Sequence, residues 1–180
     1  DKPDLRNPLL LSDVTDIFKK SSFKLFADSI EKGSIVIAIP APKTSEHPRT
    51  FFDKLNNWAK DKGQGGMGYV QFVKKEGKGP IANNLDNERL EKLLKIEGID
   101  ENSSVFFLCG KQDEIRELAA TARTKIAREL KVINENEFHF CWIVDYPMFQ
   151  KNPETDKIEF SHNPFSMPQG GLESLNNIDP

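Results

Sequence analysis

The sequence predicts an α+β fold, a two-layer sandwich in which helices cover one side of a mainly antiparallel sheet, followed by a terminal β-hairpin. Three observations lead to this prediction. Short apolar runs, typical of strands, alternate with three segments whose apolar residues recur at helical spacing. Each of those segments carries a single apolar stripe, which suits helices packed on one side of a sheet. The short strand pairs favour mixed or antiparallel pairing over an all-parallel sheet.

The predicted elements follow in the order strand, strand, helix, strand, helix, strand, helix and hairpin. Residues 23–26 and 35–39 are predicted to pair as strands, because a polar stretch ending at Gly33 separates two apolar runs. Helices are predicted from Thr50 to Gly63, from Asp86 to Gly98 and from Gln112 to Leu130. The later strands are predicted at residues 69–73, 105–108 and 138–144, with a glycine-containing loop over 74–79 and a hairpin that turns over 152–157 and returns through 158–160.

Composition and charge narrow the classes of protein to which the chain can belong. Of its 180 residues, 37% are apolar and 29% are charged, a globular composition. No apolar run is long enough to cross a bilayer and the first residues do not read as a signal peptide, so no membrane partner is predicted. Cys109 and Cys141 form no disulfide framework, which favours a reducing cytoplasm. Because the formal net charge is −3, any contact with nucleic acid would need a local basic patch.

Two patterns that could carry chemistry have simpler explanations. Gly63, Gly65 and Gly68 match G-x-G-x-x-G, but they follow a predicted helix and lead into a strand, whereas a dinucleotide site needs the reverse order. A helix-to-strand turn is therefore predicted there. His47 and His139 have no second ligand at zinc spacing, so no metal site is predicted, and no nucleophile motif identifies a catalytic residue.

The two ends of the chain are more informative. Asp1, Lys2, Asp4 and Arg6 form a dense charged cluster around a proline. Near the other end, His162 and Asn163 begin a loop with two prolines and an aromatic residue, which can hold an imidazole rigidly against a small charged ligand. The chain lacks an initiator methionine and stops soon after this loop, so we expect it to be part of a longer protein.

Three stretches resemble segments of bacterial-type aspartyl-tRNA synthetases. Residues 1–6 (DKPDLR) resemble the segment that follows the second class II motif of that family. Residues 141–149 (CWIVDYPMF) resemble the strand at which the family re-enters its catalytic sheet, and residues 162–168 (HNPFSMP) resemble the loop beyond it. The chain between them resembles the inserted GAD domain, which also occurs in amidotransferases that remodel aminoacyl-tRNA. The implied organisation is residues 1–13 as a flank of the catalytic core, 14–137 as the insertion and 138–180 as an incomplete return to the core.

The resemblance implies a parent enzyme that activates aspartate with ATP and Mg²⁺ and then transfers it to tRNA. It implies a cytoplasmic homodimer with aspartate and tRNA as partners and no role for DNA. His162 matches the loop residue that contacts aspartate, and Asn163 stands where many members have a second histidine, so it can support the loop but cannot titrate. The fragment itself is predicted to bind no cofactor and to lack activity, because the other class II motifs are missing from it.

Two other functions are compatible with parts of the sequence. The chain could be an autonomous module that binds tRNA or protein without chemistry, or the GAD domain of a tRNA-dependent amidotransferase. Neither has a use for the catalytic strand and the His162 loop. For the insertion, we expect a role in placing the tRNA acceptor end or in ordering the entrance of the active site, because it lies between catalytic strands and carries cations on its long helix. These cations alternate with acids, so the pattern favours an ordinary solvated face over a tRNA-binding one; the cations are Arg116, Arg123, Lys125, Arg128 and Lys131.

Overall fold

The structure is a computed structural model, and it describes residues 4–63, 65–142, 149–152 and 154–161. The chain divides into two compact units, Asp1–His139 and Phe140–Pro180. The first unit contains strands β1 (Ser12–Asp13), β2 (Ile35–Ala41), β3 (Gly68–Val73), β4 (Glu76–Lys78) and β5 (Ser104–Gly110). Its helices are α1 (Thr15–Phe18), α2 (Lys24–Glu31), α3 (Arg49–Asp61), α4 (Asn87–Leu94) and α5 (Gln112–Leu130), with a short 3₁₀ turn at Ala82–Asn84.

The five strands of the first unit form one sheet in the order β1-β2-β5-β3-β4, and every pairing is antiparallel. The longest ladder joins β2 to β5, from Ile35 opposite Gly110 to Ala41 opposite Ser104. The α+β class and the antiparallel sheet packed with helices are therefore confirmed. The described helices include none that is both long and apolar enough to span a membrane.

Helices pack on both faces of this sheet, whereas the sequence indicated one covered face. Side chains of a strand alternate between faces, and in β2 both sets are buried. Ile37 and Ile39 belong to a core shared with α3 and α5, whereas Val36 and Ala38 belong to a second core shared with α1, α2 and α4. Burial on both faces explains why β2 and β5 are apolar without interruption.

The predicted strand at residues 23–26 is wrong, because these residues lie at the start of helix α2. Phe23, Phe26 and Ile30 fall on one helical face and pack into the second core, whereas Leu25 is 67% exposed. The rings of Phe26 and Phe18 meet edge to face at 5.0 Å. The outer partner of β2 is instead the two-residue strand β1, which has no apolar run to identify it.

The other predicted elements of the first unit are confirmed, with one addition. Strands β3 and β5 and helices α3, α4 and α5 lie where periodicity placed them, and the Asp86 carboxylate caps α4 by accepting from the Arg89 amide at 2.9 Å. The predicted loop over residues 74–79 contains strand β4. Lys74 and Lys75 both have positive φ and form the two-residue turn between β3 and β4, a geometry for which lysine is an unusual choice.

The second unit contains the predicted hairpin, in which β6 (Phe149–Lys151) pairs antiparallel with β7 (Ile158–Phe160). The strand predicted over residues 138–144 is wrong for residues 138–142, which have no strand pairing, and residues 143–148 lie outside the described part. Phe138, Phe140 and Trp142 are at least 94% exposed. Their apolar pattern requires a neighbouring strand, and the described residues supply none.

Candidate functional site

The loop that the sequence identified as the substrate site lies beyond the described residues. His162 and Asn163 lie outside the described residues, and so do Asp1 and Lys2 of the N-terminal charged cluster. Of the predicted functional positions, the described residues include Asp4, Arg6 and the cations of α5, all in the first unit. The candidate functional surface is therefore built from these groups.

Asp4 and Arg6 form a bidentate ion pair. The Arg6 Nε and Nη2 atoms each donate to one carboxylate oxygen of Asp4 at 2.9 Å, and the Arg6 amide donates to Oδ1 at 3.1 Å. These bonds stabilise the ionised carboxylate, so the Arg6 side chain holds the pKa of Asp4 at about 2. The two charges that appeared in the sequence as a solvated cluster thus neutralise each other.

Arg123 of helix α5 fastens the same N-terminal segment to the sheet domain. Its Nη2 donates to the carbonyl oxygens of Asp4 at 3.1 Å and Asn7 at 2.7 Å, and its Nε donates to the Leu9 carbonyl. Partial burial lowers the pKa of Arg123, and the Asp4 carboxylate opposes that shift. Sequence reasoning missed this role, because a lone arginine on a polar helix face gives no sign of partners more than 100 residues away.

The remaining cations of α5 have different surroundings. Lys125 pairs with Glu129 at 2.8 Å, and Glu129 also accepts from Lys54 of α3 at 2.8 Å. These two lysines lower the pKa of Glu129. Neither Arg116 nor Arg128 takes part in a salt bridge within the described residues. The five cations that the sequence grouped together thus divide into a structural anchor, an ion-paired lysine and free surface groups.

An open groove of about 540 Å³ runs between α3 and α5. Lys125 and Arg128 supply cations on the α5 side, and Lys62, the residue that follows α3, supplies another. The remaining lining residues are one indole, two hydroxyls, one acid and an alanine, namely Trp58, Thr121, Thr124, Glu117 and Ala120. The groove thus combines positive charge with hydrogen-bonding hydroxyls and one aromatic surface.

The glycine-rich segment forms a turn from α3 into β3, the order of elements that the sequence indicated. Gly66 has φ +124°, and the next amide, of Met67, donates to Asn56 Oδ1 at 2.8 Å. The segment borders a cavity of about 420 Å³ whose walls are mostly apolar, including Phe26 and Ile81. Among the described residues that line it, Asp53 is the one charged residue and none is a lysine or an arginine. Such a cavity disfavours a phosphate group.

Histidine and cysteine side chains form no common site among the residues that the structure covers. His47 packs edge to face on Phe51, and His139 Nε2 lies 2.9 Å from Glu137 Oε2. Cys109 is half-buried, and burial raises the pKa of its thiol, whereas Cys141 is exposed. Within the described ranges, no three His, Cys, Asp or Glu side chains are grouped so as to hold a metal ion.

Comparison with known proteins finds similarity over the whole chain. Residues 26–119 match the family model of the GAD domain. The chain is 54% identical over 180 residues to the aspartate–tRNA(Asp/Asn) ligase of Gluconobacter oxydans and 53% identical to that of Acidiphilium cryptum, spanning 30% of each relative. It is 50% identical to the ligase of the same name from Paramagnetospirillum magneticum, spanning 20% of it. The whole of this chain is therefore matched, but it spans less than a third of the length of each of these relatives. Because the GAD model matches more than half of its residues, the chain belongs to the GAD domain family.

Proposed function

We propose that the chain is the GAD-bearing part of an aspartate–tRNA ligase. The observation that carries this proposal is that 54% identity to a protein named as such a ligase extends over all 180 residues. The GAD match covers residues 26–119. The similarity therefore includes both flanks, where the DKPDLR and HNPFSMP segments resemble the ligase family. An autonomous binding module would not need these flanks.

The proposed reaction of the longer protein has two steps. The carboxylate of aspartate attacks the α-phosphorus of ATP to form aspartyl-adenylate with release of pyrophosphate. A hydroxyl of the terminal ribose of tRNA then attacks the aspartyl carbonyl carbon, which forms the ester and releases AMP. Three relatives are named for both tRNA-Asp and tRNA-Asn, and we extend this double specificity to the longer protein. From the family resemblance we also propose a requirement for Mg²⁺, a homodimeric state and a cytoplasmic location.

The proposed organisation places residues 14–137 as an insertion between two parts of a catalytic core, residues 1–13 and 138–180. Within that insertion, the role we propose is placement of the tRNA acceptor end. The anchoring of the N-terminal segment by Arg123 supports this, because it links the long helix α5 directly to the chain that carries Asp4 and Arg6. A domain held firmly at its point of attachment can orient a bound substrate.

The cavity beside the glycine turn does not suit ATP. A triphosphate needs several cations or a helix N-terminus behind a glycine turn. The glycine turn here leads into β3, and Asp53 is the charged residue of the cavity beside it. No step of the reaction is therefore assigned to the described residues.

A comparison of the longer protein with the isolated chain tests the ligase assignment. The longer protein should charge transcripts of both tRNAs with aspartate and catalyse aspartate-dependent exchange of pyrophosphate into ATP. The isolated 180-residue chain should catalyse neither, because most contacts to both substrates lie elsewhere. If the longer protein charges neither tRNA with aspartate, the ligase assignment is wrong; if it charges only one, the double specificity is wrong. If the isolated chain catalyses pyrophosphate–ATP exchange, activity does not depend on the parts of the longer protein outside these 180 residues.

His162 is the residue that we propose to contact aspartate. In the longer protein, His162→Ala should raise the KM for aspartate roughly 10- to 100-fold, the effect of losing one hydrogen bond to a charged group. The matched control is the neighbouring substitution Asn163→Ala, for which a smaller change is expected because Asn163 supports the loop. An aspartate KM that His162→Ala leaves unchanged would contradict this role.

A further inference from the structure

We propose that the groove between α3 and α5 binds the backbone of a short single-stranded RNA segment, with the Trp58 indole as a surface for an unpaired base. This inference rests on the proposed function, in which tRNA is a substrate, and it names the surface that meets the tRNA. No relative's name assigns this surface. The shape, the charge and the hydrogen-bonding groups of the groove all suit such a segment.

The shape of the groove is set by one stripe of α5. Glu117, Thr121, Thr124 and Arg128 follow one another at spacings of three or four residues, so they lie on one face of the helix. At a rise of 1.5 Å per residue, this stripe is roughly 16 Å long. The opposite wall is the C-terminal end of α3. The groove is thus long enough for a few nucleotides and too small for a protein interface of ordinary size.

The charge of the groove contrasts with that of the whole chain. Lys62, Lys125 and Arg128 line it beside one acid, Glu117, and the adjoining Glu129 pairs with both Lys125 and Lys54. The local balance is four cations against two acids, whereas the chain carries a formal charge of −3. Lys62 and Arg128 take part in no salt bridge within the described part of the chain, so both are free to neutralise phosphates.

The hydroxyl and aromatic groups of the groove suit RNA in particular. Thr121 Oγ1 and Thr124 Oγ1 donate to carbonyls one turn earlier, at 3.1 and 3.2 Å, which leaves their oxygens able to accept from a ribose 2′-hydroxyl. Trp58 packs against the core with part of its ring accessible. A fixed, partly exposed indole is a stacking platform for an unpaired base.

The test measures binding of the 180-residue chain to a tRNA transcript over 20 to about 200 mM salt, by fluorescence anisotropy of labelled RNA. The double variant Lys62→Glu/Arg128→Glu should weaken binding roughly tenfold or more at low salt and lower the log–log salt slope by about two. The matched control Lys24→Glu/Lys32→Glu makes the same charge change at the first residue of α2 and at the residue that follows the helix. Helix α2 packs on the opposite face of the sheet. The control should leave the salt slope unchanged. Equal circular dichroism spectra and urea midpoints establish that both variants fold.

A second readout follows the indole. The chain contains two tryptophans, Trp58 and Trp142. In a Trp142→Phe background, RNA should quench the fluorescence of Trp58, and Trp58→Leu should lower affinity without changing the salt slope. If the groove variant and the α2 control weaken RNA binding equally, or if RNA leaves the fluorescence of Trp58 unchanged, the groove is not the RNA-binding surface. The proposed tRNA role of the domain would still stand. Absence of any salt-sensitive binding would overturn both, whereas the ligase assignment is judged separately by aminoacylation.

Discussion

Arg123 donates hydrogen bonds to the carbonyls of Asp4, Asn7 and Leu9, three groups that the sequence separates from it by more than 100 residues. Asn7 and Leu9 are buried, so these carbonyls cannot turn to water if the guanidinium is removed. The Asp4–Arg6 ion pair lies immediately beside this anchor. The arrangement of the whole N-terminal segment therefore depends on one side chain of α5.

We predict that Arg123→Met lowers the free energy of unfolding by about 3 kcal/mol, because it leaves buried carbonyls without a donor while keeping the apolar stem. Urea denaturation measures the change, and amide hydrogen exchange of Leu9 should quicken. Arg116→Met is the matched control, an exposed arginine on the same helix, and should change stability by less than about 0.5 kcal/mol. Equal effects of the two substitutions would contradict the anchoring role.

The turn from α3 to β3 requires a glycine at residue 66, for two reasons. Gly66 has φ +124°, which side chains rarely tolerate, and a Cβ there would lie 2.5 Å from Asn56 Oδ1. That oxygen already accepts from the Met67 amide. The neighbouring Gly65 has open space around it and no positive φ that would strain a side chain.

We expect Gly66→Ala to lower the free energy of unfolding by roughly 1–3 kcal/mol, through backbone strain and displacement of the Asn56 side chain. Gly65→Ala serves as the control and should be neutral or slightly stabilising, because it only reduces the freedom of the unfolded chain. Thermal or urea unfolding of the two variants gives the comparison. A Gly65 variant as unstable as the Gly66 variant would show that the turn needs flexibility rather than this geometry.

The helices and central strands could be predicted because their signals are local. Asp86 begins α4 as a capping residue, and the apolar repeat of α5 gave its bounds from Gln112 to Leu130. The failures occurred where the local signal was ambiguous or absent. The apolar residues of 23–26 fit the spacing of a strand as well as that of a helix. The Lys74–Lys75 turn of the β3–β4 hairpin lacks the usual glycine or asparagine.

At the scale of the whole molecule, the unit Asp1–His139 contains both cores of the five-stranded sheet. Neither core includes a described residue of the second unit. The first unit therefore has the buried apolar area that independent folding requires.

We predict that a chain ending at His139 unfolds cooperatively with the same urea midpoint as the 180-residue chain. The physical reason is that truncation removes no buried side chain of either core. Circular dichroism in a urea series measures the midpoint, and the intact chain is the reference. Loss of cooperative unfolding after truncation would mean that residues beyond 139 stabilise the sheet domain.

The sequence by itself determined the α+β class, the main helices and strands, the hairpin turn and the resemblance of both flanks to the ligase family, because these depend on neighbouring residues. It also led to His162 as the substrate contact, which remains a prediction. Only the tertiary structure decided that helices cover both faces of the sheet, that Arg123 is an anchor, and that Lys62 joins Arg128 in one groove. Each of these depends on groups far apart in the chain, and local periodicity carries no information about which distant groups meet.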